Sequence, residues 1–231
     1  MSRTKTDRYC LLTCVVVLLL TVPVWAADKA SDEQTLRNAG AVLTAMLDSK
    51  SIPADVVAKA DCVIVLPSVK KFAVGIGGTG GRGPMICRGG QNFAGKWSAP
   101  AMYSVGGASA GLQLGGTATD YVLLLMSQTA VDKVLAGKVK VGTDVTAAAG
   151  PGASAPTKSG ADVLTYSRTK GAFAGVSLSG ATLDPDSDAN KRLYGKDVSA
   201  KGIVMENAVE LTPGGESLDS LLNSKAAEHK Q

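Results

Sequence analysis

One pattern of ten residues occurs twice in this chain: Gly107-Ala-Ser-Ala-Gly-Leu-Gln-Leu-Gly-Gly116 and Gly171-Ala-Phe-Ala-Gly-Val-Ser-Leu-Ser-Gly180. The copies agree at the outer and inner glycines, at two alanines and at one leucine. Glycine weakens a strand, so its recurrence between single apolar residues points to strands whose backbones pass close to other chain. In the second copy Ala174, Val176 and Leu178 fall on one face and Phe173, Ser177 and Ser179 on the other, the alternation of a half-buried sheet. The two copies are therefore expected as strands of one sheet, with their glycines at bends or close approaches.

At 231 residues, with 4% aromatics and 27 glycines, the chain fits one domain whose core is Val, Leu, Ile and Ala around close backbones. Ser31 and Gln34 form a capping box, and Leu36, Gly40, Leu43 and Leu47 recur on one helical stripe. A short helix started by Pro53 follows. Cys62 to Pro67 is a continuous apolar run, the pattern of a strand buried on both faces. Further strands are expected at Phe72–Gly78, Met85–Arg88, Ala101–Gly107, Gly111–Gly116 and Tyr121–Met126, separated by Gly-rich turns. Ser127–Ala136 reads as a helix, Gly142–Gly160 as a loop, Val163–Ser167 and Phe173–Leu183 as strands, and Asp184–Gly195 as a second loop. Leu218, Leu221 and Leu222 lie on a closing helix that fades into a polar tail. The fold class is α+β: an antiparallel, barrel-like Gly-rich sheet with amphipathic helices at both ends.

Residues 1–26 read as a signal peptide. Arg3, Lys5 and Arg8 precede an apolar run from Cys10 to Val24, with a small-residue cleavage site at Ala26. The remaining residues 27–231 form the single domain, exported to the periplasm or cell envelope. Without Arg3, Lys5, Arg8 and Asp7 the formal charge falls from +4 to +2, too balanced for nucleic-acid binding. Export also leaves Cys62 and Cys87 as the only cysteines. They are either a disulfide, worth roughly 3 kcal/mol by loop closure, or two buried thiols. The stripe of Leu36, Leu43 and Leu47 has two readings as well, packing on the domain's own sheet or insertion into a membrane surface.

Enzymatic motifs fail on context. Gly107 to Gly111 spells the G-x-S-x-G of serine hydrolases around Ser109, with Asp120 and His229 in the order of a triad. The elbow needs a helix immediately afterwards, whereas Leu112-Gln-Leu continues as a strand, and Phe173 takes the place of Ser109 in the second copy. The sole histidine, His229, stands in the polar tail. Gly75 to Gly80 fits G-x-G-x-x-G but runs on through glycines to Pro84, leaving no helix N-terminus for a pyrophosphate. Asp184 to Asn190 imitates the start of a calcium loop, yet Ala189 stands where Gly is required and Gly195 where a Glu belongs. One histidine and two mature cysteines supply too few ligands for zinc. No catalytic residue, cofactor or metal is expected. What remains is a set of cations beside the Gly-rich segments, Lys70, Lys71, Arg82, Arg88, Arg168 and Lys170, candidates for holding anionic lipid head groups if they converge.

Taken in order, Ala60 to Pro67, Trp97-Ser-Ala-Pro100, Ser109 to Gly115 with Asp120, Gly150-Pro151, Tyr166-Ser-Arg-Thr-Lys-Gly171 with Gly175 to Gly180, and Asn190 to Tyr194-Gly195 resemble the SYLF domain. The resemblance runs from about residue 31 to 224. SYLF is a lipid-binding domain of yeast actin-patch proteins and of eukaryotic proteins carrying SH3 or FYVE modules. It implies binding of membrane lipids, phosphoinositides in the eukaryotic members, and an actin-binding ancestry, and it supplies no catalytic residue. The expectation is an exported, non-enzymatic protein that binds anionic lipids. The alternative is a structural or protein-interaction module of the envelope, and a serine hydrolase is the remote third.

Overall fold

Cys62–Cys87 forms one strand, β1, paired antiparallel with a second long strand, β2, Ala101–Leu125. In this computed structural model the described residues are 24–141, 144, 147–149, 161–170, 178 and 180–226. Residues 1–23 of the expected signal peptide, Gly171–Ser177 and Ser179 of the second glycine copy, most of the expected 142–160 loop, and the tail with His229 lie outside them. The register of β1 on β2 runs from Cys62 opposite Leu125 to Met85 opposite Ala101, with shifts between Leu66 and Val69 and between Ala73 and Gly75. This corrects the expectation of several short strands. The glycines read as turns lie inside the ladder, because main-chain hydrogen bonds need no side chain and bulges absorb the irregularity.

The ribbon curls until the two ends of β1 meet. Cys62 and Cys87 are disulfide-bonded with their Cα atoms 4.0 Å apart, and the amide of Arg88 donates to Asp61 O at 2.9 Å. A Cβ on Gly83 would sit 1.9 Å from Val65 O, and one on Gly81 2.8 Å from Val69 Cγ2. Glycine is required at Gly83 for this approach.

Four strands complete the sheet: β3 (Val139–Lys140), β4 (Ala147–Ala149), β5 (Val163–Lys170) and β6 (Thr182–Pro185). Their order is β3-β6-β2-β5-β4, with β1 on the other edge of β2. β4 runs parallel to β5, a departure from an all-antiparallel sheet that the long connection between them permits. β5 ends with Lys170 opposite Ala118, and β6 starts with Thr182 opposite Gly106. Equal numbers of residues therefore separate the two paired stretches on either side. The first glycine copy fills that interval of β2.

Along Cys62–Leu66 both faces of the sheet are buried, which is why that run is apolar without alternation. Ile64, Leu66, Met85, Tyr103, Tyr121 and Leu123 face one core with α3 (Gln128–Ala136) and α5 (Ala200–Val204). Val63, Val65, Val122, Leu124, Leu164 and Tyr166 face a second core, covered by the helices α1 (Val24–Asp48), α2 (Ala54–Val57) and α6 (Glu216–Lys225). Leu36 and Leu43 are fully buried and Leu47 is 9% exposed, so the stripe is spent on packing within the fold. Gly40 belongs to it because a Cβ there would meet Ser217 Oγ at 2.8 Å, where α6 crosses.

Two local expectations are corrected. Ser31 is interior to α1 and caps nothing, since the Ala-rich chain before it is a good helix former and carries the helix back to Val24. Asp184–Gly195 is no loop, for it contains α4, Ser187–Tyr194. Asp186 caps that helix by accepting from the Ala189 amide at 3.0 Å, and Gly195 ends it at φ 70°. The acidic residues that imitate a calcium loop are thus a helix start, with Asp188 in the first turn and Lys191 and Arg192 in the last. Asn190 docks α4 on β2 through two hydrogen bonds with the Met102 backbone, Oδ1 accepting at 2.7 Å and Nδ2 donating at 3.3 Å.

Candidate functional site

The six candidate cations do not form one cluster. Arg88 is fully buried: its Nη2 donates to Ala226 O at 2.5 Å and its guanidinium lies 4.3 Å from the Trp97 ring centroid. Burial lowers its pKa, with Asp61 opposing. Arg88 is thus removed from the head-group candidates, as an internal anchor for the end of α6.

Arg82 is engaged as well. Its Nη2 donates to Asp32 Oδ1 at 2.6 Å and its Nε to Asp186 Oδ2 at 2.7 Å, while Arg192 Nε reaches Asp32 Oδ2 at 2.7 Å. Desolvation pulls the Arg82 pKa down, but Asp186 and Asp32 together leave it above the ordinary arginine value. Arg192 is raised first by its hydrogen bond to Asp32. This network ties α1 to β1 and α4 around a carboxylate with no solvent exposure.

The other candidates sit on the sheet. Lys70 and Lys170 are both register partners of Ala118, from β1 and β5 respectively. Residues directly opposite share a face, so the two lysines flank β2 in one row. Arg168 is opposite Asp120, two residues along β2 on the same face. Its Nη2 donates to Asp120 Oδ2 at 2.8 Å, and its side chain remains 41% exposed. The other oxygen of Asp120 accepts from the Ser68 amide at 2.9 Å, fixing the bulge in β1 just before Lys70. Lys70 is exposed. Lys71, opposite Thr117, belongs to the other face. Lys70, Arg168 and Lys170 are therefore brought together on β1 and β5, the two strands that flank β2, whereas Lys71, Arg82 and Arg88 do not join them.

The strand expected over Val163–Ser167 extends to Lys170, so Tyr166 to Lys170 lies in β5. Ser109 occupies a continuous strand, opposite Gly77, without the strand-to-helix turn of a nucleophile elbow. Among the described residues no cluster of His, Cys, Asp or Glu could hold a metal, and no helix is long and apolar enough to cross a membrane. Sequence reasoning missed the structural carboxylates Asp32 and Asp186 and the bulge-holding role of Asp120. The available signal at Asp120 was an acid inside an otherwise apolar strand, with Arg168 on the neighbouring one.

The family model described as "Las17-binding protein actin regulator" (Ysc84) matches residues 106–225, the span that holds most of β2, all of β5 and the docking motif of α4. The chain belongs to the Ysc84, or SYLF-domain, family. It is 34% identical over 204 residues to SH3 domain-containing protein PJ696.02 of Schizosaccharomyces pombe, covering 82% of this chain and 46% of that protein. It is 32% identical over 187 residues to LAS seventeen-binding protein 3 of Saccharomyces cerevisiae, covering 78% and 40%. To SH3 domain-containing YSC84-like protein 1 of Mus musculus it is 34% identical over 181 residues, covering 76% and 52%. The chain spans about half the length of the curated relatives it matches. No solved structure matches it.

Proposed function

We propose that this SYLF-family chain is exported to the cell envelope and there binds the anionic head groups of membrane lipids, without catalysis. The observation that carries the reading is the row of Lys70, Ala118 and Lys170, with Arg168 in the next row of the same face. Strand spacing of ~4.8 Å sets the backbones of the two lysines about 10 Å apart, close enough for one phosphate-bearing surface to span both register positions. Ammonium and guanidinium groups donate charge-assisted hydrogen bonds to phosphate oxygens. Asp120 offsets part of the charge of Arg168, which leaves the row net positive. Each such cation contributes about 1 kcal/mol at an anionic surface, so the attachment is weak, multivalent and sensitive to salt. Export rests on the basic residues and apolar run of the first 26 residues.

Co-sedimentation of the mature protein with vesicles tests this reading. Recovery is expected to rise with the anionic lipid fraction and to fall as salt screens the charges. Failure to bind any anionic vesicle at low salt overturns it.

A second reading, a protein-interaction module, is favoured by the name of one relative, LAS seventeen-binding protein 3. Capture of a specific protein partner, independent of lipid, would support it in place of the first. Absence of catalysis is checked with ester substrates: activity lost on Ser109→Ala would contradict it.

A further inference from the structure

The disulfide and the end of the C-terminal helix share one buried connection. Cys87 is bonded to Cys62, its carbonyl accepts from the Ser98 amide at 2.8 Å, and its amide donates to Ser98 Oγ at 3.2 Å. The next residue, Arg88, bridges to Trp97 across the same hairpin and donates its backbone amide to Asp61, the neighbour of Cys62. From the two residues of this bridge two side chains reach one atom. Arg88 Nη2 and Trp97 Nε1 both donate to the carbonyl of Ala226, at 2.5 and 3.0 Å. Ala226 is the C-cap of α6, where the last carbonyls of a helix lack intrahelical donors. A cation with a second donor at that end also complements the helix dipole.

We propose that the Cys62–Cys87 disulfide acts as a redox clip that holds the C-terminal helix on the sheet. The reaction is thiol–disulfide exchange with a dithiol. One thiolate of the reductant attacks a protein sulfur and forms a mixed disulfide, releasing the other cysteine as thiolate. The second reductant thiolate then displaces the remaining cysteine, so two electrons and two protons pass to the protein and the dithiol becomes a disulfide. Both cysteines are fully buried, so the step needs transient opening of the 88–98 hairpin. Two unbonded thiols require more space than a bonded pair. Reduction therefore spreads the ends of β1 and displaces Arg88 and Trp97 from Ala226. Leu218 and Leu222 of α6 pack in the core that α1 covers, so a loosened α6 loosens the cover of that sheet face.

Hydrogen exchange on the whole chain, oxidised and after treatment with a dithiol, tests the clip without reference to lipid. In the reduced protein the amides of Leu221–Ala226 are expected to exchange at least about tenfold faster, as the two buried hydrogen bonds to the Ala226 carbonyl are lost. The amides of α4, anchored elsewhere by Asp186 and Asn190, should stay unchanged. The oxidised Trp97→Phe variant, which keeps an aromatic ring but loses the donor, should show part of the same acceleration in the same segment. The proposal is overturned if Leu221–Ala226 exchange alike in both redox states, if α4 accelerates equally, or if Trp97→Phe leaves the last turn as protected as in the wild type.

Discussion

Arg192 on α4 donates Nε to the buried carboxylate of Asp32 on α1 at 2.7 Å, joining residues 160 positions apart in the sequence. Arg82 of β1 reaches the same carboxylate at 2.6 Å, so one acid receives cations from two elements. Removing one partner of a buried ion pair strands the other charge, a loss of 3–5 kcal/mol in fully buried cases. Here the arginine side chains are 35% and 28% exposed and can rehydrate in part. Asp32→Ala is expected to lower unfolding stability by about 3 kcal/mol and Asp32→Asn, which keeps an acceptor, by less. Urea midpoints measure both.

Gly83 and Gly80 lie three residues apart on one strand and differ in what surrounds them. A Cβ on Gly83 would fall 1.9 Å from Val65 O, a backbone atom that cannot turn aside, whereas nothing lies within 4 Å of one on Gly80. Gly83→Ala is expected to cost more than about 3 kcal/mol or to prevent folding. Gly80→Ala is expected to leave stability unchanged or to raise it by about 0.5 kcal/mol, since alanine restricts the unfolded chain. Denaturation of the two variants side by side separates close approach from glycine content.

These two glycines show where the sequence was legible. Alternation and apolar runs revealed the strands, the two-faced burial of Cys62–Leu66 and the helix after Ser127, because those patterns depend on local periodicity. Glycine was read as a turn signal, and Gly80–Gly83 joined the long β1 instead, since the contact that demands Gly83 comes from Val65, far away along the chain. Similarly, the acids from Asp184 to Asp188 resembled a ligand loop until Asp186 was seen capping α4 and pairing with Arg82. The same limit applied to the candidate site. Six cations could be named, but only the register opposite Ala118 and Asp120 sorts Lys70, Arg168 and Lys170 from the rest.

Tyr166 is buried, its hydroxyl has no hydrogen-bond partner among the described residues, and burial followed by the charge of Asp55 pushes its pKa up to about 12. Tyr121 is also raised to about 12 by burial, with Thr119 opposing. In the unfolded chain a phenol ionises near 10, so between about pH 10 and 12 these tyrosines hold their protons only in the fold. Their contribution is complete below pH ~10 and is lost as pH rises toward 12, by at most ~1.4 kcal/mol per pH unit for each tyrosine. Tyr166→Phe is expected to unfold no more easily at pH 7, and to be about 1 kcal/mol more stable if the unpaired hydroxyl carries its full desolvation cost. Above pH 10 its stability should decline less steeply than that of the wild type. Thermal or urea unfolding between pH 7 and 11.5 checks both parts.

Lys70 and Lys170 provide the most direct test of the lipid-binding account, because they share a row while Lys71 faces the other way. The measurement is co-sedimentation at low salt with vesicles rich in anionic lipid, after each variant is shown to retain the wild-type urea midpoint. The account predicts that the double variant Lys70→Glu/Lys170→Glu loses at least about tenfold in affinity, the scale of several removed or reversed surface charges, while Lys71→Glu binds as the wild type does. Equal binding by the double variant and the wild type, or an equal loss in Lys71→Glu, would contradict it.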